Sequence, residues 1–147
     1  MAAVNVMKEQ PSSLQALTAL TKETDAVFEQ AGLSRGLAEL IKVRVSQLNG
    51  CAYCLRSHVQ AAQAAGEDTD RLTLLSAWWE TQVYTEQERA ALALAEQVTR
   101  LAVPEDRSWD TGVLTPQQVS AVIWVATVIG AWNRVVLSSH PAVKPVA

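Results

Sequence analysis

The stretch "LNGCAYCLRSH", residues 48–58, holds both cysteines of the chain and one of its two histidines. It also decides the local fold. Asn49-Gly50 is a helix-stopping pair, because glycine most readily takes the left-handed backbone found at helix ends. From Cys51 to Ala65, ahead of Gly66, there is no further glycine or proline, so a new helix is expected to start at or just before Cys51. On a helix, positions i, i+3 and i+7 share a face, which aligns Cys51, Cys54 and His58. The imidazole sits one turn beyond Cys54, where it can take the thiol proton, and the thiolate is the species that attacks peroxides and disulfides. Unpaired amides of the first turn add partial positive charge beside the pair.

The same three- and four-residue apolar spacing extends outward in both directions, with no sustained alternation of the kind that marks a strand. Pro11 with Ser12 and Ser13 opens a first helix through Leu14, Leu17, Leu20, Val27 and Phe28, ending near Ala31-Gly32. Ser34 is placed to cap a second from about Arg35 to Leu48. After the cysteine helix, a short fourth follows Asp68 or Thr69 and carries Leu72, Leu75, Trp78 and Trp79. "TEQE" at 85–88 has capping-box spacing and begins a fifth, to about Leu101. "VPEDRSWDTGV" at 103–113 reads as a loop, and "TPQQ" at 115–118 opens a long apolar sixth helix. The expected fold is all-α: a single compact helical domain of about six helices spanning 1–147, with the CxxC pair at the N-terminus of a central helix.

Composition agrees with one buried core: 49% of the 147 residues are apolar and 18% charged. A net charge of −3 with scattered lysines and arginines offers no basic stripe, so nucleic acid is not an expected partner. "MAAVNVMKEQPSS" at 1–13 lacks the charged opening and apolar run of a secretory signal, and the expected address is the cytoplasm. Thiols there are kept reduced, so a close cysteine pair is redox-active or metal-binding rather than a permanent staple. The one membrane candidate, 119–137, contains Ser120, Thr127, Asn133 and Arg134. A cation deep in lipid costs about 2.5 kcal/mol or more, so a helix buried in a core or subunit contact is expected instead.

Helix lengths bring in a further residue. Glu39 to Leu48 spans ~13 Å and Cys51 to His58 ~10 Å, at about 1.5 Å per residue. If Asn49-Gly50 folds the two helices antiparallel, Glu39 arrives beside His58, where a carboxylate orients the ring and stabilises its charged form. Lys42 and Arg44 on the same helix read as solvated surface, and Tyr53 as packing or bordering the pocket. Zinc held by Cys51, Cys54 and His58 is the metal alternative. A structural site wants four ligands, and only Glu39 or distant His140 is available, so no metal is expected. Trp78, Trp79, Trp124 and Trp132 read as core or subunit contacts, since no glycine-rich phosphate loop accompanies them and no cofactor is expected. Which cysteine attacks stays open on these grounds: the helix start favours Cys51, the neighbouring base Cys54.

With these residues in place, the chain resembles the carboxymuconolactone decarboxylase superfamily, in particular its alkylhydroperoxidase D-like branch. The resemblance is carried by "NGCAYCLRSHVQAAQAAGED" at 49–68, by Glu39 twelve residues before Cys51, by "YTEQERAALALAEQVT" at 84–99 and by "AWNR" at 131–134. It implies a helical protein assembled as a homotrimer or homohexamer. It also implies a peroxidase in which Cys54 attacks a hydroperoxide, Cys51 closes a disulfide, Glu39 and His58 relay the proton, and an external thiol or dithiol resets the pair. One position departs: where well-studied peroxidase members have a second histidine between the cysteines, this chain has Tyr53. A phenol is a poorer base than an imidazole at neutral pH, so that part of the relay is weakened or rerouted. Two rival readings are a lyase acting on a cyclic lactone acid, which needs no cysteine pair, and a redox sensor without turnover.

Overall fold

Helix starts in the structure coincide with the capping residues the sequence marks. The structure is a computed structural model describing residues 4–106, 108, 109 and 112–147. Ser34 Oγ accepts from the Leu37 amide and begins α3 (Arg35–Asn49). Cys51 caps α4 (Ala52–Ala64), and Asp68 caps α5 (Thr69–Leu74). Thr85 and Thr115 form reciprocal capping boxes with Glu88 and Gln118, opening α6 (Glu86–Thr99) and α7 (Pro116–Ser139). Ahead of these lie α1 (Val6–Glu9) and α2 (Pro11–Gln30). The described residues contain no strand.

Among the described residues, seven α-helices stand where about six were expected. The extra one, α1, is a single turn capped by Asn5 and too short to show a period. The fourth expected helix also changes character: after α5 it tightens to a 3-10 segment, Leu75–Glu80, broken at Ala77 (φ −127°). Tertiary bonding accounts for this. Trp78 turns its Nε1 to Glu96 Oε1 at 2.9 Å, and Arg89 donates to the carbonyls of Trp78, Trp79 and Thr81 at 3.1, 3.1 and 2.7 Å. Of the expected 103–113 loop, the described residues are irregular, while Arg107, Asp110 and Thr111 lie outside the description, as do Met1–Ala3.

The helix at the centre is α3, against which α2, α4, α6 and α7 pack. Every residue from Gly36 to Ser46 is buried. Around it sit Phe28, Leu75, Leu92, Leu94, Val122 and Val125, each worth ~1.5–3 kcal/mol when removed from water. Glu67 packs closely on Gly36 where α3 starts: a Cβ there would lie 2.7 Å from Glu67 Oε1, so that side chain would have to shift. Glu67 and Glu88 in turn hold Arg71 at 2.7 and 2.6 Å, tying α5 to α6. α7 is long and apolar enough to cross a membrane by length and composition, with mean hydropathy 1.6, but half of that window is buried inside this fold.

The central position of α3 overturns one expectation. Lys42 and Arg44 are not solvated; each is only 6% exposed. Arg44 Nε donates to Glu96 Oε1 at 2.7 Å, and Arg100 Nη1 donates to Glu96 Oε2 at 2.8 Å. Burial pushes the Glu96 carboxyl up, but hydrogen bonds from Trp78 and Arg44 and the charge of both arginines outweigh it and hold it below the usual carboxylate value. The charges on α3 are buried because neighbouring helices bring partners to them.

Candidate active site

The site forms where α3 turns into α4. Gly50, at φ +70°, ends α3 in left-handed geometry and reverses the chain. Asn133 on α7 locks this turn: Asn49 Nδ2 donates to its Oδ1 at 2.9 Å, and its own Nδ2 donates to Ser46 Oγ at 3.1 Å. Cys51 follows in extended geometry as the N-cap of α4, its sulfur accepting from the Cys54 amide at 3.3 Å. Cys51 and Cys54 are joined as a disulfide and both are buried.

The reversal sets Glu39 against His58, with Oε2 2.9 Å from Nδ1. A carboxylate facing Nδ1 makes that nitrogen the donor, and in a neutral ring Nε2 is then the acceptor. Glu39 is itself buried, at 6% exposure, so it is not the surface acid that a lone glutamate usually is. Its other oxygen accepts from Lys42 Nζ at 3.1 Å, and Lys42 Nζ lies 2.8 and 2.9 Å from the two oxygens of Asp25. Burial pushes the Glu39 carboxyl up, but the hydrogen bond with His58 and the charge and hydrogen bond of Lys42 bring it below its ordinary value. Asp25, Lys42, Glu39 and His58 thus form one continuous polar chain.

That chain ends at a cavity of about 300 Å³. Cys54, His58, Lys42, Asp25 and Tyr53 line one side of it, and Val125, Val128, Ile129, Trp132 and Val136 of α7 form an apolar wall. Trp132 Nε1 donates to Thr21 Oγ1 at 2.8 Å, which fixes the indole between α7 and α2. Tyr53, half exposed, borders the cavity. Of the four tryptophans expected in the core or a subunit contact, Trp78 is core, Trp79 and Trp124 are half exposed, and Trp132 borders the cavity beside Cys54. Among the described residues, no three His, Cys, Asp or Glu side chains converge as a metal site.

Sequence reasoning missed Asp25, Lys42 and Trp132. Lys42 carried a signal, three residues past Glu39 on the same face. Asp25 lies on α2 and carried none.

The matched relatives agree with this architecture. The model of the carboxymuconolactone decarboxylase family matches residues 11–97, which include Glu39, both cysteines and His58. The uncharacterised protein YdfG of Bacillus subtilis is 35% identical over 113 residues, 73% of this chain and 76% of that one. A crystal structure from Agrobacterium tumefaciens superposes with a TM-score of 0.82 at 30% identity, covering 100% of both chains. It is of a protein of unknown function provisionally linked to the antioxidant defence protein AhpD. The chain belongs to the carboxymuconolactone decarboxylase family, in its alkylhydroperoxidase D-like branch.

Proposed function

We propose that the protein is a thiol-dependent peroxidase that reduces small organic hydroperoxides or hydrogen peroxide through Cys54 and Cys51. The observation that carries this reading is that Cys54 and His58 line one largely apolar cavity while a buried carboxylate holds the His58 ring at 2.9 Å. In the reduced protein His58 Nε2 takes the Cys54 proton. The thiolate attacks the terminal peroxide oxygen, the O–O bond breaks, and the alcohol or water leaves with the proton from His58. Cys54 is then a sulfenic acid. Cys51 displaces its hydroxyl as water, closing the disulfide present in this structure. Two electrons from an external thiol or dithiol restore the pair.

Glu39 remains ionised throughout and stabilises the imidazolium, and Lys42 keeps it charged. The wall of Val125, Val128 and Ile129 suits the alkyl part of an organic hydroperoxide. A homotrimer or homohexamer, as the family resemblance implies, would cover the half-exposed Trp124 of α7. Hydroperoxide-dependent oxidation of dithiothreitol tests the reading. Turnover is expected in the native chain and none in Cys54→Ser, while reduced Cys51→Ser without donor is expected to consume one equivalent of hydroperoxide and stop at the Cys54 sulfenic acid. Undiminished turnover in Cys54→Ser, or no hydroperoxide consumption by the reduced native chain, would overturn it.

A further inference from the structure

The two cysteines line different cavities. Cys54 lines the large one, whereas Cys51, with no exposed surface, lines a second of about 120 Å³ with Tyr53, Val136, His140, Pro141 and Val143. That second cavity is roofed by the chain beyond α7. His140 ends the helix in left-handed geometry (φ 45°, ψ 54°), its amide donating to Val136 O at 3.1 Å. The segment 141–147 is then fastened to α4 by Arg56 Nη1, which donates to Lys144 O at 2.6 Å. The ring of His140 has no hydrogen bond or ion pair among the described residues. The two histidines of the chain therefore fall one to each cavity, each alongside one cysteine.

We propose that the second cavity is the entry site for the reducing thiol, which attacks Cys51, and that His140 accepts the proton of that thiol. This rests on the pair cycling between disulfide and dithiol, but not on peroxide being its oxidant. An aliphatic thiol fits the apolar lining of Val136, Pro141 and Val143. His140 removes its proton, and the thiolate attacks Cys51 Sγ. The S–S bond breaks and Cys54 leaves as thiolate into its own cavity, where it takes a proton. A second donor thiol gives its proton to solvent, replacing the one Cys54 took up, and attacks the donor sulfur of the mixed disulfide; a donor disulfide forms, and Cys51 leaves as thiolate and takes the proton that His140 holds. The donor loses two electrons and the cysteine pair gains them. An imidazole is the side chain best suited to take and return that proton.

The test uses the full chain, oxidised with a diazene so that no peroxide is involved, and follows disulfide opening by acid quench, alkylation and mass. Two reductants are compared: dithiothreitol, which must lose a proton to react, and a trialkylphosphine, which has none to lose. His140→Asn is the informative variant, because asparagine tolerates the left-handed backbone at the helix end. Its expected effect is a loss of about tenfold or more in the dithiothreitol rate. The phosphine rate should be unchanged, and added imidazole should restore part of the loss. After brief exposure of the native chain to 2-mercaptoethanol, the adduct is expected on Cys51. Equal loss with both reductants would make His140 a packing residue only. An adduct on Cys54, or no loss with dithiothreitol, would place the donor in the larger cavity. Either result overturns the proposal, whereas failure of the peroxidase reading shows separately, as absence of hydroperoxide consumption.

Discussion

Glu39 Oε2 lies 2.9 Å from His58 Nδ1, joining the middle of α3 to the middle of α4 across the Gly50 reversal. In the proposed cycle that contact keeps the imidazolium stable while the Cys54 thiolate reacts. Glu39→Gln preserves shape and removes the charge, so oxidation of Cys54 by hydroperoxide is expected to slow on the order of 10²-fold. Stopped-flow measurement of thiol loss checks this. An unchanged rate would remove Glu39 from the mechanism.

Acid should weaken the fold through two of its buried carboxylates. Glu39 and Glu96 both sit below the ordinary value of 4.5 in the folded chain. A lowered folded value means that the stabilisation is complete above the unfolded value and drains away as pH falls from there through the folded value. The native chain is therefore expected to lose stability below about pH 4.5. Glu96→Gln, already weaker at neutral pH, should lose less over the same range. Urea titrations across pH measure the narrowing gap, and parallel curves would contradict the assignment.

Removing Glu96 outright leaves Arg44 buried with Gln47 Oε1, at 3.1 Å, and the face of the Trp79 ring, 5.8 Å from its guanidinium carbon, and takes the acceptor from Trp78 Nε1. Breaking a buried pair by deleting one member costs about 3–5 kcal/mol. Glu96→Ala is expected near that range by urea unfolding at neutral pH. A loss below about 1 kcal/mol, the scale of an exposed pair, would mean that Arg44 finds water instead.

Leu101 follows α6 with φ 55° and is 79% exposed, so its side chain bears left-handed strain with little burial to offset it. Glycine removes a cost of ~1–2 kcal/mol and adds ~0.4–1 kcal/mol of unfolded-state entropy. Leu101→Gly is accordingly expected to stabilise by roughly 0.5–1 kcal/mol, read as a rise in Tm of a few degrees. A fall in Tm would show that the leucine makes contacts worth more than its strain.

What could be read from sequence was what lies within one helix or across one short turn. The caps at Ser34, Thr85 and Thr115 act over three residues, so local chemistry alone specifies them. Cys51, Cys54 and His58 share one helix, and the Asn49-Gly50 turn is short enough for helix rise to place Glu39 beside His58. Lys42 and Arg44 were misread because charges default to solvent. Only the packing of four helices around α3 shows that they are enclosed. Asp25 reaches Lys42 through the packing of α2 on α3, and the 3-10 segment at Leu75–Glu80 follows from bonds to Glu96 and Arg89 on α6. Likewise, nothing near His140 in sequence indicates that the end of α7 returns to Cys51.

In the proposed cycle Cys54, lining one cavity with His58, reduces a peroxide oxygen and passes the oxidation to Cys51. The most direct measurement is a thiol count on fully reduced protein before and after one equivalent of hydrogen peroxide. Loss of both thiols, with intramolecular Cys51–Cys54 linkage by mass and no loss in Cys54→Ser, is the predicted result. Retention of both thiols in the native chain, or equal loss in Cys54→Ser, would contradict it.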